Sequence, residues 1–199
     1  MMVEYNLFTR ILSEDFMIPD QHRMEEPKQA GTHICTIVDK GVDSFKAYRY
    51  DLEERDFLPF FNKDHDDEER GYHSVSPSPS GLLKFCDYIL LASTNEKLYI
   101  ILVEMKSGGN ADANQQLAAS KTFIDYIKAS AERIKTMWGC DDFDSRKIIL
   151  RKVLLKPAPK PRPTTNIGRR NSQIDWSADP IVLNSHLFPL LKVCECRQR

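Results

Sequence analysis

The sequence predicts a single α/β or α+β domain, residues 1–199, with a mixed central β-sheet flanked by helices. With 199 residues, of which 41% are apolar, the chain can build one hydrophobic core. Two hydrophobic runs, at 82–93 and 97–107, are separated only by the polar stretch TNE, which indicates a tight hairpin at the sheet centre. A long amphipathic helix and a further strand follow this hairpin.

The helix is predicted from an apolar stripe that steps by three, four or seven residues between Leu117 and Trp138. Asn110 or Asp112 can cap its first turn. The next run, KIILRKVLL, predicts a strand that lies parallel to its neighbour if the helix is a right-handed crossover connection.

The remaining elements are read from shorter patterns. Leu7, Ile11, Leu12 and Phe16 have helical spacing, and Pro19 ends this first helix. HICTIVDK and SFKAYRYDL predict two strands, and the turn-forming GVDS between them indicates a hairpin. The segment PIVLNSHLFPLLKVCECR supplies one or two closing strands. Stretches rich in proline, serine and charge predict flexible loops near 62–80 and 157–178.

Composition limits the class of protein. The net charge is −1, but residues 51–70 hold nine acids against three bases, and residues 151–174 hold seven bases and no acid, which permits a basic face. The five cysteines have no disulfide or zinc spacing, and no apolar run approaches the ~18 residues that span a bilayer. We therefore expect a soluble, cytoplasmic protein without a membrane partner.

Three ionisable residues interrupt the hydrophobic strands at 85–109. If the hairpin turns at Asn95 and Glu96, Asp87 lies directly opposite Glu104, and Lys106 points to the same face because side chains alternate along a strand. Two such close carboxylates in an apolar sheet cost several kcal/mol. A divalent cation offsets that cost by binding both.

This arrangement predicts phosphodiester hydrolysis. Asp87 and Glu104 would ligate Mg²⁺ or Mn²⁺, and the backbone carbonyl of Met105 would add an oxygen. Lys106 would orient or help deprotonate the attacking water and steady the phosphate.

At these residues the sequence resembles the PD-(D/E)xK nuclease superfamily of restriction endonucleases, Holliday-junction resolvases and RecB-type nucleases. The match is CD at 86–87, sixteen intervening residues, and EMK at 104–106, with Cys86 in place of the family's proline. The resemblance implies a restriction-endonuclease-like core and an Mg²⁺-dependent nuclease of the endonuclease type, which favours DNA over RNA and leaves 5′-phosphate and 3′-hydroxyl products.

The resemblance also implies supporting residues. Many members carry an acid on the first helix, for which Glu4 and Glu14 are both candidates. RecB-like members have a glutamine on the helix after the lysine, where Gln115 or Gln116 falls, and Lys121 lies one turn beyond Leu117, where it could approach the phosphate.

Other features have simpler alternatives. Lys160, Arg162, Arg169 and Arg170 could contact backbone phosphates, with Trp176 as a stacking surface, but a linker or a partner-docking segment is an equal alternative. For the acidic run at His65–Asp67, a solvated loop is favoured over a metal site. Cys194 and Cys196 favour core positions on a final strand over a soft-metal site.

The function also has open alternatives. Glu104 and Lys106 could form a solvated ladder at a strand end, or the fold could serve as a catalytically inactive nucleic-acid-binding or complex-assembly subunit. A structural module that binds a protein through its basic proline-rich segment is a third alternative. Since no separate sequence-reading module is evident, specificity is expected from nucleic-acid structure, a partner subunit or a homodimer.

Overall fold

A computed structural model describes residues 2–28, 31–50, 85–106, 112–157, 173–175 and 178–196. These residues form two β-sheets and three α-helices, and none of the helices combines the length and apolar character needed to cross a membrane. The helices are α1 (Val3–Ile11), α2 (Ala113–Ile134) and α3 (Leu190–Glu195). The strands are β1 (Arg23–Lys28), β2 (Gly31–Val38), β3 (Ser44–Arg49), β4 (Tyr88–Thr94), β5 (Lys97–Met105), β6 (Ile148–Lys156), β7 (Gln173–Asp175), β8 (Ile181–Asn184) and β9 (Leu187–Pro189).

The larger sheet has six strands in the order β3-β4-β5-β6-β8-β7. Its first three strands are antiparallel, whereas β5, β6 and β8 are parallel and β7 is antiparallel to β8. Helix α2 connects β5 to β6, so the predicted parallel pairing across a helical connection is confirmed. The mixed α+β class is likewise confirmed.

The hairpin between β4 and β5 has the predicted register. Thr94 pairs with Lys97, and the ladder continues to the pair Tyr88 and Val103. Asn95 and Glu96 form the two-residue turn with φ angles of 51° and 57°. Positive φ at both central residues matches the right-handed twist of the strands, so this turn fixes the register of the whole ladder.

The hairpin lies between two layers. On one face, Leu98, Ile100 and Leu102 pack in a cluster that includes apolar residues of α1 and α2. On the other face, Ile101 and Val103 pack in a second cluster with residues of α3 and the smaller sheet, which has the order β1-β2-β9. Because both faces are covered, β4 and β5 read as continuous hydrophobic runs rather than alternating ones.

The first helix is shorter than predicted. Helix α1 ends at Ile11, where Leu12 adopts an extended backbone, and a 3₁₀ turn follows at Glu14–Phe16. The Ser13 hydroxyl accepts a hydrogen bond from the Asp15 N–H and so begins this separate turn. The apolar spacing of Phe16 therefore reflects its partial burial in a different element, packed against the helix-facing cluster.

The predicted hairpin of β2 and β3 is wrong, although both segments are strands. β2 pairs with β1 and β9 in the smaller sheet, whereas β3 pairs with β4 in the larger one. The linker between them passes from one layer to the other, where the Asp43 N–H donates to the Ser93 carbonyl at 2.8 Å.

The closing segment forms two strands, β8 and β9, as predicted, but α3 follows them where further strand was expected. Cys194 is buried on this helix, so its predicted core position is confirmed. The prediction that it lies on a strand is wrong. The loop predicted near 62–80 lies outside the described residues, as does most of the one near 157–178. Within the second range, Gln173–Asp175 form strand β7 rather than loop, because they pair with β8.

Candidate metal centre

Asp87, Glu104 and Lys106 lie at the end of the six-stranded sheet where β4 begins and β5 and β6 terminate, here called the site end. Ile89 pairs with Leu102, and both side chains belong to the helix-facing cluster. Asp87 and Glu104 each lie two residues further towards the site end, so they share that face. The strand register that brings the two acids together is therefore the one that a two-residue turn at Asn95 and Glu96 predicts.

Glu104 is enclosed, with 0% of its surface exposed. Its Oε1 atom lies 2.7 Å from the Lys106 Nζ, and the lysine side chain keeps 26% of its surface exposed. A fully buried carboxylate needs a charged or hydrogen-bonding neighbour, because burial removes its hydration. Lys106 supplies one such neighbour from the same strand.

Asp87 closes the end of the hairpin ladder. Its Oδ2 atom accepts a hydrogen bond from the Met105 N–H at 2.6 Å, in the place where a longer β4 would offer a backbone acceptor. The N–H and C=O of one strand residue point to the same side, so the Met105 carbonyl is directed towards the Asp87 side. The predicted oxygen donor set of Asp87, Glu104 and the Met105 carbonyl is thus compatible with the backbone geometry.

The neighbouring acids determine the charge of Lys106. Burial lowers its pKa, but the hydrogen bond and charge of Glu104, with the charges of Asp87 and Asp112, outweigh burial, and the pKa is raised. Lys106 is therefore a cation in this arrangement.

Helix α2 fixes the chain just before Asp87. The Ser120 hydroxyl accepts a hydrogen bond from the Cys86 N–H at 2.8 Å and donates one to the Gln116 carbonyl at 2.8 Å. Ser120 was not among the predicted residues. The sequence does carry a signal for it, since a serine three residues after Leu117 interrupts the apolar stripe of an otherwise regular helix.

Cys86 stands where the nucleases that the sequence resembles have proline, and its thiol has low reactivity. Burial raises the pKa of its thiol, and the charges of Glu104 and Asp87 raise it further. The Sγ atom lies 3.3 Å from the Tyr88 carbonyl, which accepts its hydrogen bond. The thiol is neutral and serves packing.

The structure separates the two glutamines proposed as supporting residues. Gln115 is exposed, whereas Gln116 is half-buried, one helical turn before Ser120 on the side that contacts Cys86. The Gln116 Oε1 atom is enclosed and has no hydrogen-bond partner within the described part of the chain. Gln116 is therefore the one of the pair that can serve the site.

The other supporting residues do not join the cluster. Glu14 is exposed in the 3₁₀ turn, with Oε1 3.6 Å from the Lys46 Nζ. Glu4 is buried near the hairpin turn, at the opposite end of the sheet, where it accepts the Asp144 N–H at 3.0 Å. Lys121 pairs with Asp125 on the exposed side of α2.

These three placements correct the expectations drawn from the resemblance. Helix α1 begins at the turn end of the sheet, so an acid in its first turn lies far from Asp87, and α2 presents Ser120 rather than Lys121 to the site. The residues Lys160, Arg162, Arg169, Arg170 and Trp176 lie outside the described residues, as do His65, Asp66 and Asp67.

The donor set fits a cation that takes few protein ligands. Within the described ranges, no three or more histidine, cysteine, aspartate or glutamate side chains cluster as a ready metal site. Mg²⁺ commonly uses one or two carboxylates and completes its shell with water and substrate phosphate. Asp87 and Glu104, with the Met105 carbonyl, meet that smaller requirement.

Comparison with known proteins gives no assignment. No family model matches the sequence. No curated protein matches it, and no solved structure does. The functional argument therefore rests on the residues of this chain and their geometry.

Proposed function

We propose that the chain is a metal-dependent nuclease that hydrolyses phosphodiester bonds, with DNA favoured over RNA as substrate. The observation that supports this proposal is the placement of Asp87, Glu104 and Lys106 on one face at the site end, with the Glu104 and Lys106 charges 2.7 Å apart.

The cost of this cluster favours a chemical role. Replacing a buried ion pair by apolar residues of similar volume is often neutral or stabilising. Strand β5 is otherwise apolar from Leu98 to Val103, and Glu104 stands in the same buried row. A carboxylate and an amine in that row are therefore poorly explained by stability alone.

The residues would divide the work as follows. Asp87, Glu104 and the Met105 carbonyl would hold one Mg²⁺ or Mn²⁺, which when bound would neutralise charge on the phosphate and acidify water. Lys106 would orient or help deprotonate the attacking water and steady a phosphate oxygen. The Gln116 amide supports the same side of the site from α2.

A second function is favoured by the contacts that hold the strand end together. Asp87 caps the Met105 N–H, and Glu104 pairs with Lys106, so the same residues also stabilise the end of the ladder. A nucleic-acid-binding or complex-assembly subunit without turnover would keep these contacts. The two functions differ in whether substrate is cut.

Cleavage assays separate them. Plasmid, single-stranded DNA and RNA would be incubated with the purified chain in Mg²⁺, Mn²⁺ or EDTA, beside Glu104→Gln and Lys106→Met. Glu132→Gln and Lys135→Met serve as matched controls, because the exposed Glu132 and the half-buried Lys135 form an ion pair of the same charge types at the C-terminal end of α2.

The proposal predicts metal-dependent cutting that both site variants lose and both control variants keep. Binding of nucleic acid without cutting in any metal would favour the non-catalytic subunit. Equal cutting by wild type and site variants would contradict the proposed site.

A further inference from the structure

The polar residues of the site end continue from β5 onto β6. The Lys106 N–H donates to the Leu155 carbonyl at 2.9 Å, and Met105 pairs with Leu155. Lys156 is the last residue of β6 and pairs in turn with Asn184 at the end of β8. Lys156 is thus the neighbour of Lys106 across the parallel ladder, where adjacent strands lie about 4.8 Å apart.

The register also places Lys156 on the face of the acids. Glu104 pairs with Leu154, and paired residues of neighbouring strands point to the same face. Lys156 lies two residues beyond Leu154 and so shares that face. Leu154 is buried, whereas Lys156 is half-buried, so the sheet opens to solvent at this position.

The two lysines have different electrostatic surroundings. Lys106 is compensated by Glu104 and lies near Asp87 and Asp112. Lys156 has no hydrogen-bond or ion-pair partner within the described ranges. Among the described residues, the positive charge of Lys156 therefore lies beside the acid cluster without an ion-pair partner of its own.

We propose that Lys156 binds a phosphate group of the nucleic-acid strand, adjacent to the phosphate that lies at Asp87 and Glu104. A lysine acts on phosphate as a point charge, which suits a contact that positions the strand without reading its sequence. Open parallel sheets bind ligands outside the carboxyl ends of their strands, which is where Lys106 and Lys156 lie. This inference rests on the proposed function, since it needs a nucleic-acid strand at the site.

Lys152 provides a matched control on the same strand. It lies on the same face as Lys156, four residues earlier, or about 13 Å. Its Nζ atom forms an ion pair with Asp179 at 2.9 Å. A lysine that is compensated and distant from the site end is expected to contribute little to phosphate binding.

The test measures binding rather than cutting. Wild type, Lys156→Gln, Lys156→Arg and Lys152→Gln would bind a labelled single-stranded DNA of about 12 nucleotides, followed by fluorescence anisotropy. Titrations would run with EDTA and with Ca²⁺ between about 50 and 200 mM salt. The slope of log affinity against log salt counts the phosphate contacts.

Lys156→Gln should lower the magnitude of that slope by about 0.7 relative to wild type, whereas Lys156→Arg and Lys152→Gln should keep it. Equal slopes for Lys156→Gln and wild type, or an equal fall for Lys152→Gln, would overturn the role of Lys156 and leave the nuclease proposal standing. Absence of salt-dependent binding by wild type under both conditions would also overturn the role of Lys156, and the cleavage assay then decides the nuclease proposal separately.

Discussion

At the scale of single residues, Asp87 combines a structural contact with a chemical one. Its carboxylate accepts the Met105 N–H at 2.6 Å. Continuation of the strand register beyond the pair Tyr88 and Val103 places Asp87 opposite Glu104. The hydrogen bond needs only an acceptor oxygen, whereas cation binding needs a negative charge. Two substitutions of Asp87 can therefore separate the roles.

Asp87→Ala should lower the free energy of unfolding by about 1 to 3 kcal/mol, because the Met105 N–H loses its acceptor. Asp87→Asn keeps an oxygen in that place and should stay within about 1 kcal/mol of wild type while losing metal-dependent activity. Urea denaturation and the cleavage assay measure the two effects. Equal destabilisation by both variants would show that the charge, not the hydrogen bond, stabilises the ladder end.

The positions of the site residues on the hairpin could be predicted because only two features determine them. A two-residue turn fixes the register, and the period of two fixes the face, so Asp87, Glu104 and Lys106 follow from the sequence. Glu14 and Lys121 could not be placed in this way. Their positions depend on where α1 ends and on how α2 is rotated about its axis, which tertiary packing decides.

At the scale of elements, α2 is attached to the site through Ser120. Its hydroxyl is buried and bridges the Cys86 N–H and the Gln116 carbonyl. Thr122 lies on the same helix and also donates to the carbonyl four residues earlier, but its hydroxyl is exposed and makes no tertiary contact in the described part of the chain. Comparing Ser120 with Thr122 therefore isolates the effect of the tertiary hydrogen bond between Cys86 and Ser120.

Ser120→Ala should cost about 1 to 3 kcal/mol of unfolding free energy, because the buried Cys86 N–H is left without its acceptor. Thr122→Ala should change stability by less than about 0.5 kcal/mol. Thermal or urea unfolding of both variants measures the difference. A similar cost for the two would mean that the hydroxyls act only within the helix.

Pairing between elements was predictable only where the chain connects them closely. The unit from β4 through β5 and α2 to β6 follows from a short turn and one helical connection. The partner of β3 is β4, which is separated from it by residues 50–87, and nothing in the β3 sequence identifies that partner. The GVDS turn favoured the local hairpin, but packing of the two layers decided otherwise.

Strand β1 and helix α3 were missed for a related reason. β1 contains Arg23, Glu25, Glu26 and Pro27, a composition that favours neither strand nor core. Helix α3 has only six residues, too few for a helical periodicity to be recognised. Both elements are defined by the sheet and cluster that they pack against.

At the scale of the whole molecule, the two-cluster packing predicts the reactivity of the cysteines. No disulfide bond links the five thiols; three are buried and Cys140 and Cys196 are half-buried. Burial raises the pKa of Cys35 and Cys194 to about 12. At about pH 8, only about one thiol in 10⁴ would then be the reactive thiolate.

A thiol-reactive disulfide reagent should therefore modify Cys140 and Cys196 in the native protein and the remaining three only after denaturation. Peptide mapping of the labelled sites gives the measurement. Rapid native labelling of Cys35 or Cys194 would contradict the packing of the smaller sheet and α3 against the larger one.

The central claim is that Asp87 and Glu104 together bind one divalent cation. Calorimetric titration of the wild-type chain with Mn²⁺, beside Asp87→Asn, Glu104→Gln and the control Asp144→Asn at the opposite end of the sheet, tests it without any substrate. The account predicts about one site per chain in wild type and control, with affinity at least about tenfold weaker in both site variants. Equal Mn²⁺ binding by all four proteins, or no binding by wild type, would contradict it.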